Sequence, residues 1–499
     1  MERKFFADKV RAGWFGKCLA GAVGMPYEGV PFALNLTEKD LRAVNVPNDD
    51  LELQLVWLEA LERRGTALSC RDLGDIWKRR IPHGCDEYSI AIYNLQHRLT
   101  PPATGYYNNS FADGMGAAIR SEIWALVFAG RPDAAAYFAR QDAEVDHWGD
   151  GVRAECFMAM AEAHACVHSD IEAAVRFALK RTAPESRLYR TLSEVLALYD
   201  RGTDDESARR EIMLTLQNHP NFTDCVMNLA FVMDALLRGG GDFRKTILRV
   251  VNFGRDTDCT AASCGAFLGI ARGMAAFPEQ YRSAVADEMA LSDFVLDIPG
   301  VPRTISELTA RTVDLHDRLF PQLAAAEYPA YTPYRPAPDL PVLYTAKWLI
   351  LDGENADAAA VEAVLRTEGR CPEPYRADIV TFHSPYLDLS RFAGTAHLHL
   401  FCFLEAGDLP EDTVFMATAD VGLRVHLDGK LILNNHSRHK MLPAFHRVQG
   451  GAAFALPLRP GRRYRLHLEL FHCSADCKAC VMLGNSCNDI LDGYTLGMA

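Results

Sequence analysis

Basic residues are in short supply: 52 Lys and Arg stand against 65 Asp and Glu in 499 residues, a formal net charge of −13. Neutralising a nucleic-acid backbone needs the opposite balance, so a general nucleic-acid partner is excluded, although a local basic pocket for one phosphorylated ligand is not. No unbroken apolar run approaches the ~20 residues of a membrane-spanning helix. The start, Met1-Glu2-Arg3-Lys4, leads into mixed polar residues instead of a signal-peptide core. The chain therefore reads as cytoplasmic, with no membrane partner. A Walker-type phosphate loop and a Gly-x-Ser-x-Gly nucleophile elbow are both missing, which removes two common enzyme chemistries. Fourteen cysteines are scattered, and several, such as Cys18, Cys156 and Cys264, sit inside helical patterns, so no disulfide framework is expected. Cys477-x-x-Cys480 has the spacing of half a zinc site, but Cys473 and Cys487 are poorly spaced as the other half, and a hairpin with free thiols is expected there.

What is present changes character near residue 330. Before it, Ala/Leu/Met-rich segments carry apolar residues at helical spacing: Leu51, Leu55 and Leu58; Met115 through Phe128; Ala154 through Val167; Ile171 through Leu179. A connector from Tyr328 to Pro341 holds Pro329, Pro333, Pro336, Pro338 and Pro341, a density that opposes both helix and central strand. After it the period becomes two, as in Leu423-Arg424-Val425-His426-Leu427 and Tyr464-Arg465-Leu466-His467-Leu468, with Asp428-Gly429 as a hairpin signal. The expected organisation is an all-α domain over 1–327, a linker over 328–341, and an all-β sandwich of jelly-roll type over 342–499. The stretch Ala419–Lys430 loosely resembles strands of carbohydrate-binding PA14-like modules; a packing or dimerisation role fits equally well, so a homodimer stays open.

Three distant segments carry acidic chemistry. The first, Gly13-Trp14-Phe15-Gly16-Lys17-Cys18-Leu19-Ala20-Gly21-Ala22-Val23-Gly24, permits close backbone approach, and Glu28 follows its end. The second is Asn48-Asp49-Asp50, where Asn48 is a natural N-cap and the carboxylates suit a helix dipole. Adjacent carboxylates with an amide oxygen also suit a hard, oxygen-loving cation. The third, Gly254-Arg255-Asp256-Thr257-Asp258-Cys259-Thr260, opens a helix rich in Ala, Gly and Ser. Small residues bury such a helix deeply, and buried carboxylates then require a cation or several donors.

Together these segments resemble the ADP-ribosylglycohydrolase family over roughly residues 8–280, with Met115-Gly116-Ala117-Ala118-Ile119-Arg120 similar to its central helix. The resemblance implies an all-α fold whose two acidic helix starts hold a pair of Mg²⁺ ions. It makes Asp49, Asp50, Asp256 and Asp258 metal ligands and turns Glu28 toward the metal site and the scissile sugar. Asn48 replaces the family's usual Thr but still offers a carbonyl oxygen. Cys259 stands where a ligating Thr is usual, and sulfur is a poor Mg²⁺ partner, so Thr260 is the substitute oxygen considered and one tightly held ion (Mg²⁺ or Mn²⁺) with a weak or missing second is expected. Arg255 occupies a position more often Gly and could contact an anionic or hydroxyl-rich ligand.

A loop containing Tyr106, Asn108 and Asn109 fits sugar recognition by ring stacking and amide hydrogen bonds, although turn chemistry explains it as well. His147 lies near a family His and is weighed evenly against a core histidine. The expected function is a divalent-metal-dependent glycohydrolase acting on an ADP-ribosyl or related ribosyl-type group of a small or glycosylated substrate, with Glu28 or Asp50 handling the proton. Hydrolysis of a carbohydrate glycoside at the same site is the alternative, and a non-catalytic binder is a third reading.

Overall fold

Glycines bring two helices, Arg3–Gly24 and Thr257–Arg272, into backbone contact at the centre of the helical unit. A Cβ on Gly16 would lie 2.1 Å from the Gly265 carbonyl oxygen, and one on Gly24 would lie 2.0 Å from that of Thr257. Any larger residue at either position forces the pair apart. The computed structural model describes residues 2–42, 47, 49–216, 219, 221–283, 285–292, 298, 300–332, 337, 339–353, 358–367, 376–435, 441–446 and 452–498.

The described chain divides into two compact units: Met1–Pro82, Thr100–Tyr106 and Phe111–Arg335 form one, and His83–Leu99, Tyr107–Ser110 and Pro336–Ala499 the other. The change of period near residue 330 thus marks where strands begin, but the second unit also takes in a helix, Asp86–Gln96, from the earlier stretch.

The first unit is helical. The segment Thr257–Ala276 is long and apolar enough to cross a membrane by length and composition, which corrects the reading that no segment approaches that standard. Its Ala and Cys residues, with Phe267, Leu268 and Ile270, raise mean hydropathy without a long aliphatic run. It is 72% buried within the structure, as the central helix of a bundle is. The helix Asp150–His168 contains the expected 154–167 segment, and Ile171–Leu179 matches its expected bounds. Met115–Phe128 is shorter than its pattern, with a 3₁₀ turn at Ala118–Arg120 before the helix Glu122–Val127. In the connector, Tyr328 packs on Tyr137 and Phe138, and Tyr331 lies under the guanidinium groups of Arg140 and Arg153. Tyr334 lies outside the described residues.

The second unit is mostly β. One sheet runs Arg376–Phe382, Ala346–Asp352, Tyr494–Gly497, His397–Ala406, Arg463–Phe471, Gly422–Leu427, Lys430–Asn435; the other runs Tyr386–Asp388, Lys478–Gly484, Val414–Ala419, Ala452–Ala455. Trp348, Leu400 and Leu468 from the first sheet and Phe415, Val481 and Leu483 from the second share one core. Seven and four strands among the described residues, with Ala346 and Leu496 paired in a parallel ladder, differ from the two four-stranded sheets of a jelly roll. Asp428 and Gly429 both take positive φ (52° and 82°), the hairpin turn that their sequence signals. The helix Asp86–Gln96 joins this unit through Ser89, whose hydroxyl donates to the Asn488 carbonyl at 2.8 Å, and Tyr93, whose hydroxyl donates to Asp492 at 2.7 Å. Cys473 and Cys477 face the shared core whereas Cys480 faces the other side of its sheet, so these thiols do not converge on one ion.

Candidate active site

Close packing of the two central helices sets the site. Where Arg3–Gly24 ends, the chain turns and pairs with the loop before Thr257–Arg272: Arg255 N–H donates to the Val30 carbonyl at 2.8 Å, and Gly29 N–H donates to that of Arg255 at 2.8 Å. The Thr257 hydroxyl ties the two ends together by donating to the Gly24 carbonyl at 2.8 Å. Glu28, exposed on this loop, is thereby held near enough for its charge to act on Asp256.

Asp256 is the N-cap residue of Thr257–Arg272, yet its side chain makes no capping hydrogen bond. An Asp in that position ordinarily accepts from the second or third amide of the helix. Here the carboxylate turns instead toward Asp258 and Cys259, and one ligand atom from each of the three lies within 4.8 Å of the others. Asp256 is 1% and Asp258 5% exposed. Among the described residues Asp256 Oδ2 and Asp258 Oδ1 are buried with no hydrogen-bond partner. Burial, and then the neighbouring Asp258 charge, push Asp256 well above the usual carboxylate range, and burial raises Asp258 as well. Two such groups share a proton or take up a cation; they do not both stay ionised alone.

Asp50 is fully buried on the helix Asp49–Arg64. The Cys259 thiol donates to its Oδ1 at 3.4 Å, which links the second acidic segment to the third. On its other side Lys17 Nζ stands 3.9 Å from Asp50 Oδ2. Asn48 and the side chain of Asp49 lie outside the described residues. The Thr260 hydroxyl donates to the Asp256 carbonyl one turn earlier, at 2.8 Å. Cys259 is thus a structural link between Asp50 and the Asp256–Asp258 pair as well as the departure noted in the sequence.

Arg255 has φ of 69°, a left-handed conformation that costs an L-residue about 1–2 kcal/mol. That explains why Gly is the natural occupant of the position. Its guanidinium is mostly buried, and burial lowers its pKa from the usual value.

The remaining residues singled out in the sequence divide between the units. Tyr106 packs edge-on against Trp148, centroids 5.0 Å apart, in the first unit. Asn108 and Asn109 belong to the second unit, where the Asn108 carbonyl accepts from the Tyr386 hydroxyl at 2.8 Å. His147 is fully buried with both ring nitrogens engaged: Nε2 accepts from Ala117 N–H at 3.2 Å, and Nδ1 lies 2.9 Å from Asp146. That is the setting of a core histidine, which positions its neighbours.

Two buried polar networks support the site; sequence reasoning missed the first whole, whereas in the second Asp142, Asp146 and His147 read as a polar cluster between helices and only the cation at its centre was missed. In the first, Lys17 Nζ donates to Glu122 at 2.9 Å and to the Ile119 carbonyl, while Gln54 donates to the other Glu122 oxygen at 2.7 Å. Burial alone would lower Lys17, but Glu122 and Asp50 outweigh it and hold the ammonium charged. A lysine between Gly16 and Cys18, in a stretch from Ala12 to Gly24 that is otherwise small or apolar, was the available signal. In the second, Arg120 forms a fork on Asp146 at 2.7 and 3.0 Å and donates from Nε to Asp142 at 2.9 Å. Burial would raise Asp146, but Arg120 and His147 keep it below the usual range; burial pushes Asp142 and Glu155 upward, Glu155 further through the neighbouring Asp142 charge.

A helical bundle with buried carboxylates gathered at a helix start, and an exposed Glu on the adjoining loop, offers the acid and base groups that hydrolysis of a glycosidic bond needs. The model of the ADP-ribosylglycohydrolase family matches residues 2–318, and the chain belongs to that family. It is a hydrolase acting on glycosidic bonds. No curated protein matches it. Among solved structures, an ADP-ribosylglycohydrolase-related protein complex is 20% identical over 64% of this chain and 99% of that one, with a TM-score of 0.46. A β-glucosidase from Kluyveromyces marxianus in complex with glucose is 10% identical over 29% of this chain and 17% of that one (TM-score 0.21). An anti-sigma factor domain-containing protein from Clostridium clariflavum is 12% identical over 31% and 47% (TM-score 0.20). None of these overlaps is close enough to transfer an activity.

Proposed function

We propose that the chain is a divalent-metal-dependent hydrolase that cleaves the glycosidic bond of an ADP-ribosyl or related ribosyl group. The observation that carries this reading is Asp256, an N-cap carboxylate that declines its capping bond and is buried against Asp258 with an oxygen lacking a partner. Such a pair fits a cation, because a positive charge removes the cost of burying both carboxylates. Oxygen donors select Mg²⁺ or Mn²⁺ over softer ions. Asp256, Asp258 and Asp50 would hold it, with Asn48 and Asp49 as further donors by the family resemblance, and one or two ions are compatible with that set.

When bound, the ion supplies positive charge that orients sugar hydroxyls and makes a nearby water more acidic. The protein's own residues do the rest. Glu28, exposed on the loop beside Asp256, is placed to take or give the proton at the scissile linkage. Asp50, buried beside Lys17, is the further carboxylate that would meet the ion or a ligand hydroxyl. Arg255, held in a costly backbone conformation, is placed to meet an anionic part of the substrate.

The test is a panel of ADP-ribosylated peptides and chromogenic glycosides, assayed with and without EDTA. ADP-ribose release that stops with chelator and returns with Mg²⁺ is the expected result. Preferential cleavage of a simple glycoside would reassign the substrate, and an EDTA-insensitive rate would remove the metal from the mechanism.

A further inference from the structure

The larger sheet of the second unit gathers a second set of ligand-type side chains, on the face turned away from the shared core. Three neighbouring strands supply it. In the ladder between His397–Ala406 and Arg463–Phe471, His399 stands opposite Glu469 and Phe401 opposite His467. In the ladder between Arg463–Phe471 and Gly422–Leu427, His467 stands opposite His426. Opposed residues, and residues two apart on one strand, share a face. His399, His467, Glu469 and His426 therefore point the same way, while Leu466, Leu468 and Leu470 turn into the core.

Side-chain geometry tightens this. His399 Nδ1 and His467 Nε2 are 3.0 Å apart, and one ligand atom from each of His399, His467 and Glu469 lies within 4.8 Å of the others. His426 Nδ1 stands 3.7 Å from Glu469 Oε1 and is buried with no hydrogen-bond partner among the described residues. The register shifts between Val425 and His426, a bulge of the kind that re-aims a side chain. His399 Nε2 is 3.0 Å from the Gly353 carbonyl, to which it donates, so Nδ1 presents a lone pair toward the cluster. A ring nitrogen fixed by a backbone carbonyl through its opposite N–H is how metal-ligating histidines are oriented. Phe401 stacks on His467 at 4.0 Å and 12° and sets that ring.

We propose that His399, His467 and Glu469, with His426 as fourth donor, form a binding site for a divalent transition ion of the zinc class. Three imidazole nitrogens and one carboxylate oxygen suit Zn²⁺, Co²⁺ or Cu²⁺ and not Mg²⁺. Metal–nitrogen bonds of about 2.0–2.1 Å at near-right to tetrahedral angles put two donors ~2.8–3.4 Å apart, which brackets the observed separation. Without an ion, His467 Nε2–H fills the gap by donating to His399 Nδ1. Entry of the ion needs that proton to move to His467 Nδ1, a tautomer change with no change in protein charge. Burial and the neighbouring imidazoles keep both rings neutral, as ligands must be. This site differs in donor chemistry from the acidic one and does not depend on it.

Metal-stripped full-length protein titrated with Co²⁺ should develop the visible absorption of a nitrogen-ligated, low-coordinate ion at one equivalent, and Zn²⁺ should displace it. His467→Phe, which preserves the aromatic stack, and Glu469→Gln should each weaken Zn²⁺ binding by at least ~10-fold, while Asp258→Asn should leave the spectrum intact. If His467→Phe does not fold, His426→Gln and Glu469→Gln carry the test. Equal Zn²⁺ affinity in those two variants, a wild type without the Co²⁺ band, or loss of the band in Asp258→Asn would each overturn the proposal.

Discussion

Asp258→Asn should lower turnover by on the order of a hundredfold or more, about 2.7 kcal/mol of transition-state stabilisation, and weaken Mg²⁺ binding in parallel. Asn matches Asp in shape, so the helix start should survive. The substitution removes one of two facing carboxylates whose burial raises both above the ordinary range. It should therefore make the metal-free protein more stable, not less, while abolishing the stabilisation that added Mg²⁺ gives the wild type. A merely structural Asp258 would show the reverse: lower stability with near-normal turnover, and that outcome would take Asp258 out of the site.

The second large effect is on folding. Arg120→Met should destabilise the helical unit by roughly 3–5 kcal/mol, because it strands Asp142 and Asp146 in the core without their cation. In the wild type, Asp146 has a depressed pKa, so its stabilising contribution is present above its ordinary value of 3.8 and is lost as pH falls through the lower folded value. Without Arg120 burial should raise it, and the sign reverses: the variant should hold most of its stability at acid pH and lose it as pH rises through the raised value. Denaturant midpoints across pH 4–8 for both proteins measure this. A loss under about 1 kcal/mol, or parallel pH profiles, would mean that Arg120 is not the counter-ion of the core.

Much of this was legible in the sequence because it depends on local pattern. Period-two runs at 423–427 and 464–468 became the strands Gly422–Leu427 and Arg463–Phe471, and the glycines of the first helix marked a close approach that the structure places against Gly265 and Thr257. The acidic segments could be named individually, since two sit at helix starts and Glu28 directly follows a helix end. What was hidden depends on partners distant in sequence. Lys17 stands out among small and apolar neighbours, but its partners Glu122 and Asp50 are far away in sequence and are not named by it. His147 reads as a ligand or a core residue equally until Ala117 and Asp146 occupy its nitrogens. The histidines of the β unit come together only through strand register, which alternation alone does not fix. The helix Asp86–Gln96 gave no sign of joining the β unit, because a local helical pattern does not say against what it packs.

The central claim is that Asp256 and Asp258 hold a divalent cation. Its most direct test is anomalous scattering from crystals grown with Mn²⁺, an ion that substitutes for Mg²⁺ at oxygen sites. A peak about 2.1–2.3 Å from carboxylate oxygens of Asp256 and Asp258 is the predicted result. Absence of a peak there, in crystals of protein that still turns over substrate, would contradict it.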